Sequence, residues 1–442
     1  MKMMIKYVMS LLMVMTLCLP NMQAQIVKNQ GNQDVLVNDA NPEQDEEVVE
    51  DSDDSDVADS TMVETIAANT LRLPWTETVK VGLDKLLKSK MFETSQVGIM
   101  VWDLEADSCI YRFRERQLMR PASTMKLVTA ITALDKLGGS YQFKTTLKYT
   151  GTIDNGVLKG DVYCIGGMDP RFNNDDMTAF VTSLKDMGVD SIQGSIYADR
   201  SMKDEDLLGE GWCWDDDNPV LSPLVFGRKD IFMERFLAKL KDAGIFYAGS
   251  GTSVKRCPAS AFTICTRFHT MDQILHKMMK DSDNLYAESM YYQIASSTGN
   301  RPASAKSARN VQRQLVRKIG LDPARYKFAD GSGLSLYNYV SAELEVKLLR
   351  YAYQDENILP HLKQSLPIAG VDGTLKRRMR SGFAHGNVKA KTGTVTGVIG
   401  LAGYCKAANG HDLCFSILNN GIMHSNNARS FADKVCELLC QP

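Results

Sequence analysis

The chain has 442 residues, of which 44% are hydrophobic and 24% charged, and its formal net charge is −2. These are ordinary values for a globular protein, and the length suits two or three folded units with a sizeable core. Ten cysteines in a chain this long exclude a small disulfide scaffold. No run of lysines and arginines interleaved with aromatic residues indicates nucleic-acid binding.

Residues 1–24 are predicted to be a secretory signal peptide. Lys2 and Lys6 precede an apolar run from about Tyr7 to Leu19, and Met-Gln-Ala ends at Ala24. The run is too short to span a bilayer comfortably, so no transmembrane segment is expected beyond this leader. An uncleaved N-terminal anchor is the alternative.

Residues 25–70 are predicted to be an acidic, disordered linker. Thirteen aspartates and glutamates stand against the single Lys28, which gives this segment a net charge of −12. Dense like charge with low hydrophobicity cannot bury enough apolar surface to offset the entropy lost on ordering. The remaining body carries about +8, which suits an anionic polymer environment such as a cell envelope.

Cysteine and histidine spacing indicates neither a metal site nor a cofactor. The six histidines show no His-Glu-x-x-His pattern and no Cys-x-x-Cys partner. Nine cysteines follow the leader, so at least one thiol is unpaired. Cys405 and Cys414 flank an Asn-Gly turn that could bring them opposite one another, whereas Cys257 with Cys265 and Cys436 with Cys440 are other near pairs. The connectivity stays open.

Periodicity along the chain predicts an α/β (α+β) fold. Alternating residues predict a β-hairpin from Val97 to about Arg114, and apolar spacing predicts a helix over Ser123–Leu137 that stops at Gly138. Helical patterns lie on both sides of Ser282, and successive strands and a closing helix end the chain. Strands at both ends of this helical middle predict one sheet closed by the N- and C-terminal segments. Strand-like pieces with many turns predict an inserted domain at 145–267, within a main domain formed by 71–144 and 268–442.

The stretch RPASTMKLVTA places Ser123 three residues before Lys126, on one face of a helix. A serine hydroxyl is a weak nucleophile that needs a neighbouring base, and lysine serves only when its pKa is lowered. A helix cap with a solvated lysine would show the same pattern.

Two further motifs follow in order along the chain. Ser282-Asp283-Asn284 offers a hydroxyl for proton relay and an amide for orientation. Lys391-Thr392-Gly393 on a strand offers a cation and a hydroxyl for a carboxylate, with a glycine that permits close approach. Each motif also has a purely structural interpretation. The first could be a polar interruption of a helix, and the second a routine strand with a surface lysine. Their order after Ser123 and Lys126 is typical of penicillin-binding proteins and serine β-lactamases.

At these residues the chain resembles the penicillin-recognising serine peptidases, and more narrowly the class C low-molecular-mass penicillin-binding proteins, which are D-alanyl-D-alanine carboxypeptidase/endopeptidases. The narrower resemblance rests on RPASTMKLVTA, GVLKGDVYCIGGMDP, GWCWDDD, DSDNLYAE, DGSGLS, LPIAGVDGTLKRRM and KTGTVTG, which spread from Arg120 to Gly397. It implies a penicillin-binding/β-lactamase-like transpeptidase fold, an antiparallel sheet flanked by helices, with a β-rich insertion.

The resemblance also implies a role for each motif residue. Ser123 would attack the carbonyl between two D-alanines, and Lys126, kept neutral by burial and by the field of Lys391, would take its proton. Backbone N–H groups of Ser123 and Thr394 would hold the oxyanion. The remaining roles are proton relay by Ser282, orientation of the acyl amide by Asn284, and substrate binding by Lys391, Thr392 and Gly393.

Two positions bear on substrate selectivity. Family members use an acidic residue after a Trp-x-Trp pair to hold a distal amino group of the stem peptide, and GWCWDDD points to Asp216; an exposed acidic loop is the alternative. Members selective for diaminopimelate-type stems carry an arginine directly after SGLS, where this chain has Leu336.

The implied substrate is a peptidoglycan stem peptide, with β-lactams as inhibitors and the periplasm or cell envelope as the compartment. Oligomeric state, including a homodimer, stays open. A class A β-lactamase is disfavoured because no Glu-x-x-Leu-Asn motif is present. The other alternative is a non-catalytic β-lactam or muropeptide sensor or scaffold.

Overall fold

The computed structural model describes residues 74–214, 218–249 and 251–442. The predicted signal peptide, the predicted acidic linker and Asp216 lie outside the described residues. The strands are β1 (Gln96–Asp103), β2 (Ser108–Phe113), β3 (Gln142–Tyr149), β4 (Thr152–Asp154), β5 (Val157–Lys159), β6 (Val162–Ile165), β7 (Ser191–Ile192), β8 (Ile196–Asp199), β9 (Phe246–Tyr247), β10 (Ser253–Val254), β11 (Phe262–Thr270), β12 (Lys389–Val395), β13 (Val398–Lys406) and β14 (Asp412–Asn420). The helices are α1 (Trp75–Leu86), α2 (Met125–Leu137), α3 (Asn174–Asp186), α4 (Phe232–Asp242), α5 (Met271–Lys280), α6 (Asn284–Ser296), α7 (Ala305–Lys318), α8 (Ala342–Gln354), α9 (Leu359–Ser365) and α10 (Ser425–Cys440). In the three described ranges, no helix has both the length and the apolar composition of a membrane span.

The main sheet has the strand order β12-β13-β14-β1-β2, with every neighbouring pair antiparallel. The pairing of β1 with β14 joins the two ends of the described chain, which confirms the predicted sheet closed by both terminal segments. The predicted hairpin at Val97–Arg114 is confirmed as β1 and β2.

Both faces of this sheet are covered by helices. Ile99 and Val101 of β1 lie in the core beneath α1 and α10, whereas Met100 between them lies in the core formed with α2, α6 and α8. This alternation follows from the two-residue period of a strand. Each fully buried side chain of this size contributes about 1.5–3 kcal/mol of hydrophobic stabilisation.

Helix α2 crosses the core behind the sheet. Ten of its residues, from Met125 to Leu134, are buried, and the helix ends where Gly138 adopts a φ of 79°. A single 3-10 turn over Ala122–Thr124 precedes it. The predicted helix over Ser123–Leu137 is therefore confirmed from Met125 onward, and Ser123 lies in the tighter turn at its start.

The segment between α2 and α5 contains two further sheets, with strand orders β10-β8-β6-β3-β11 and β4-β5-β7-β9. Helices α3 and α4 pack on them around a separate core that includes Phe180 and Phe236. The predicted domain boundaries at 144/145 and 267/268 fall inside β3 and β11, at the pairing of Thr145 with Arg267. The division into domains stays a proposal.

The register of the last hairpin corrects the expectation for its two cysteines. Cys414 lies opposite Tyr404, and Cys405 lies opposite Leu413. Because neighbouring residues of a strand point to opposite faces, the two thiols enter different cores. All nine cysteines of the described residues are free thiols.

Candidate active site

Ser123 is placed by a strained turn packed against the main sheet. Ala122, just before it, has a φ of 48°, a left-handed conformation that a residue with a Cβ rarely adopts. The turn is held by the hydroxyl of Thr124, whose Oγ1 lies 2.8 Å from the Pro121 carbonyl oxygen and 2.5 Å from Glu345 Oε1. Such strain indicates a position selected for its geometry.

Lys126 lies one helical turn further on and is fully buried. Its Nζ lies 2.9 Å from Ser123 Oγ, 2.7 Å from Asn284 Oδ1 and 3.0 Å from the carbonyl oxygen of Ser332. Burial lowers the pKa of Lys126 to about 8, although the negative charges of Asp330, Asp283 and Glu288 act in the opposite direction. Burial is thus a cause that favours the neutral amine, and the contribution of the field of Lys391 stays a prediction.

Ser282 lies at a break between α5 and α6, in a left-handed conformation with a φ of 59°. Asp283 caps α6, since its Oδ1 accepts the N–H of Leu285 at 2.8 Å, and its Oδ2 accepts from Arg228 Nη1 at 2.9 Å. The cap turns the chain so that Asn284, the first residue of α6, contacts Lys126. The Ser282-Asp283-Asn284 motif is therefore also a helix interruption, and this interruption holds its side chains in place.

The Lys391-Thr392-Gly393 motif lies on the edge strand β12. Lys391 is buried, and its Nζ donates to Ser282 Oγ at 2.9 Å and to the Thr392 carbonyl oxygen at 2.9 Å. At Gly393 a Cβ atom would lie 2.6 Å from the Pro121 carbonyl oxygen. Glycine is therefore required for β12 to pack against the Ser123 turn, which is a reason that the sequence did not reveal. Thr394, the next residue, is exposed.

These contacts bring five of the predicted residues into two hydrogen-bonded groups. The first contains Ser123, Lys126 and Asn284, and the second contains Ser282 and Lys391. The two groups are joined through the chain at residues 282–284. The site therefore contains two serine–lysine pairs in direct contact, Ser123 with Lys126 and Ser282 with Lys391.

Sequence reasoning missed a buried carboxylate that organises the loop after α7. Asp330 accepts from the backbone N–H groups of Gly333 and Ser335, at 2.8 and 2.7 Å, and from Asn338 Nδ2 at 2.7 Å. It also accepts from the indole Nε1 of Trp212 at 2.9 Å. Asp330 opens the DGSGLS motif, so the signal was present in the chain although no role was assigned to it.

Two buried glutamates were also missed. Glu288 accepts the backbone N–H groups of Gly331 and Ser332, and burial with the charge of Asp330 raises its pKa to about 8. Glu345 accepts from Ser416 Oγ at 2.7 Å and contacts Thr124, and burial raises its pKa to about 7. A glutamate on a helix carries no sign in the sequence that it is buried, so neither could be found by pattern.

Thr374 is a fourth residue that sequence reasoning missed. It lies in the GVDGTL motif, and its Oγ1 is 2.8 Å from Thr392 Oγ1. Leu336, the departure noted in the sequence, is 42% exposed, so its side chain offers apolar surface rather than charge.

One group of potential metal ligands lies at the far end of the main sheet. Asp103, Glu105 and His411 each offer a ligand atom within 4.8 Å of the others. His411 Nδ1 is already 2.8 Å from Asp103 Oδ2, and Asp103 Oδ1 accepts the N–H of Glu105. These bonds account for the grouping, and we assign no ion to it.

Comparison with known structures identifies the fold. The crystal structure of penicillin-binding protein 4 from Haemophilus influenzae has a TM-score of 0.73 at 24% identity and covers 80% of this chain and 97% of that one. A second structure of that protein, in complex with a β-lactam, has a TM-score of 0.69 at 25% identity. The fold is therefore that of a low-molecular-mass penicillin-binding protein.

Sequence comparison agrees with the fold. D-alanyl-D-alanine carboxypeptidase DacB of Haemophilus influenzae is 26% identical over 419 residues, covering 76% of this chain and 87% of the relative. The D-alanyl-D-alanine carboxypeptidase of Actinomadura sp. strain R39 is 27% identical, covering 79% and 82%. Residues 79–226 and 224–441 match the model of the D-Ala-D-Ala carboxypeptidase 3 (S13) family. The chain belongs to this family, and the resemblance inferred from the motifs is confirmed.

Proposed function

We propose that the chain hydrolyses D-Ala-D-Ala peptides of peptidoglycan through an acyl-enzyme on Ser123, as a serine-type carboxypeptidase and endopeptidase. Membership of the S13 family makes it a peptidase. The observation that supports Ser123 as its nucleophile is the 2.9 Å contact with a fully buried lysine amine. A nucleophile and its base within hydrogen-bond reach are the requirement for covalent catalysis.

The surroundings of Lys126 suit a neutral amine. A neutral amine has two N–H donors and one lone pair, whereas an ammonium has three donors and none. Asn284 Oδ1 and the Ser332 carbonyl oxygen can only accept, so they take the two donors. The lone pair is left facing the Ser123 hydroxyl, where it can accept the proton as the oxygen attacks.

The remaining residues complete the reaction. Ser123 Oγ forms a bond to the carbonyl carbon, and the N–H groups of Ser123 and Thr394 stabilise the oxyanion. The carbon–nitrogen bond breaks as Ser282, in contact with Lys391, delivers a proton to the leaving D-alanine. Lys391 and Thr392 bind the terminal carboxylate, and water then hydrolyses the ester. Asn284 orients the acyl amide.

The proposal extends to the inhibitors, the cellular compartment and the substrate contacts of the protein. β-Lactams would acylate Ser123 in the same way, since they carry a strained amide and a carboxylate. The predicted leader supports export to the periplasm or cell envelope, where peptidoglycan lies. Asp216 is retained as the proposed partner of a distal amino group of the stem, and self-association into a homodimer is retained as a candidate state.

The acylation rate is expected to rise with pH up to about pH 8. Below the pKa of about 8, Lys126 is protonated and cannot accept the serine proton, so the rate falls about tenfold for each pH unit. The rate constant for labelling by a fluorescent penicillin, measured from pH 5.5 to 9, gives this profile. Glu288→Gln should change this profile little, because burial and the charge of Asp330 raise the pKa of Glu288 to about 8 and its carboxyl is mostly neutral below that pH. A flat profile between pH 6 and 8 would contradict the base assignment.

Acylation mapped by mass spectrometry tests the proposed function directly. Incubation with benzylpenicillin should add one penicilloyl group to the peptide containing Ser123. One penicilloyl group per protein molecule should be enough to stop the release of D-alanine from a peptide ending in D-Ala-D-Ala. An adduct at another residue would refute the nucleophile, and a correct adduct on a protein that releases no D-alanine would support the sensor instead.

A further inference from the structure

A cavity lies away from Ser123, between the inserted sheet and helix α6. Its volume is about 750 Å³, within the range of sites that hold small ligands. One wall is the outer face of β3, where Gln142, Lys144, Thr146 and Lys148 alternate with buried residues such as Leu147. The opposite wall is the end of α6, with Gln293 and Ser296.

The cavity is strongly cationic. Lys144, Lys148, Arg256 and Arg301 line it, against the single carboxylate of Asp199. Asp199 is already used, because its oxygens accept the N–H groups of Ser201 at 2.9 Å and of Cys257 at 2.8 Å. Across residues 74–214, 218–249 and 251–442, none of the four cations forms an ion pair or a hydrogen bond through its side chain.

Unpaired like charges around one concave surface repel one another and raise the local concentration of anions. The four cations of the cavity are therefore available to bind an anion. Ile165 and Met202 add apolar surface to its walls.

The cavity is mechanically joined to the candidate active site. Gln293 accepts from the Tyr141 hydroxyl at 2.8 Å and donates to the Gly167 carbonyl oxygen, which ties α6 to the inserted sheet. Gln293 follows Asn284 by nine residues on the same helix. At 1.5 Å per residue, the two ends are about 13 Å apart along the helix axis.

We infer that this cavity binds an acidic peptide of about four residues, the second stem of a cross-linked substrate whose other stem lies at Ser123. Lys144 and Lys148 are four residues apart on β3, which places them about 13 Å apart. An extended peptide of four residues covers the same length, so two of its carboxylates can meet both lysines. The identity of the peptide as a stem rests on the proposed function, whereas its acidic character rests on the cavity alone.

Binding is tested on the full chain with Ser123 already acylated by benzylpenicillin, which closes the active site. The probe is fluorescein-labelled Ala-Glu-Ala-Glu with a free carboxyl terminus, followed by fluorescence anisotropy. The double variant Lys144→Gln/Lys148→Gln should weaken binding about fivefold to tenfold, in keeping with two partly exposed charge pairs. The double variant Lys239→Gln/Lys241→Gln removes the same charge from α4, outside the cavity lining, and should leave binding unchanged.

Competition identifies the source of the acidic peptide. An unlabelled disaccharide-tripeptide from peptidoglycan should displace the probe, whereas inorganic phosphate at equal concentration should not. The cavity variant should also slow cleavage of cross-linked dimers while D-alanine release from a short peptide stays normal. Equal binding by both double variants, or binding abolished by penicillin, would overturn the site. Displacement by phosphate but not by the disaccharide-tripeptide would overturn the identification of the bound peptide as a peptidoglycan stem. Neither result would alter penicillin labelling of Ser123, on which the proposed function is tested.

Discussion

Lys126→Ala is expected to reduce acylation by penicillin about 10²- to 10⁴-fold, the range attributed to a positioned general base. The substitution removes the lone pair that lies 2.9 Å from Ser123 Oγ and leaves the hydroxyl without an acceptor for its proton. Fluorescent penicillin labelling measured over time gives the rate constant. The residual rate should also lose its rise toward pH 8, because the titrating group is absent.

The variant must be shown to fold, since it leaves Asn284 Oδ1 and the Ser332 carbonyl oxygen without their buried donor. That loss costs about 1–3 kcal/mol, which a protein of this size can tolerate. Lys136→Ala is the matched control, because Lys136 lies on the same helix but is exposed. Labelling of folded Lys126→Ala at the normal rate would overturn the role of Lys126 as base.

Asp330→Ala is expected to lower the free energy of unfolding by about 3–5 kcal/mol, as removal of a buried charged partner typically does. Asp330 is 1% exposed and accepts from Gly333, Ser335, Asn338 and Trp212, all of which would lose their acceptor. Denaturant unfolding of the penicillin-free protein measures the change. Asp330→Asn should be nearly as harmful, since its amide nitrogen would face N–H donors.

Asp186→Ala is the control for this prediction, because Asp186 is an exposed aspartate at the end of α3. Its effect should stay within about 0.5 kcal/mol. A similarly small change for Asp330→Ala would show that the loop holds its shape without the carboxylate. The position of Ser332, which contacts Lys126, would then need another explanation.

Much of the fold was predictable because it depends on local pattern. The alternation in β1 and the apolar spacing in α2 report which face of each element is buried, so both were placed correctly. That both ends of the chain contribute to one sheet was also foreseen, since strands lie at both ends, and the pairing of β1 with β14 provides this closure. The register of β13 with β14 was not, because a shift of one residue sends Cys405 and Cys414 to opposite faces.

The candidate site divides in the same way. Ser123 lies in the 3-10 turn that leads into α2, three residues before Lys126, so their contact follows from helical geometry and could be predicted. The order of the three motifs pointed to a family, and the family match confirms it. The residue types, their local spacing and the order of the motifs can all be read from the sequence, so these conclusions did not need the tertiary structure.

The chemistry of the site, in contrast, depends on burial by distant segments. Lys126 has a lowered pKa because α6 and the Ser332 loop exclude water from it, and these lie more than 150 residues away in the chain. Asp330, Glu288 and Glu345 matter for the same reason, because a carboxylate gains its role from the donors around it. No pattern of neighbouring residues records such contacts, so folding alone determined them.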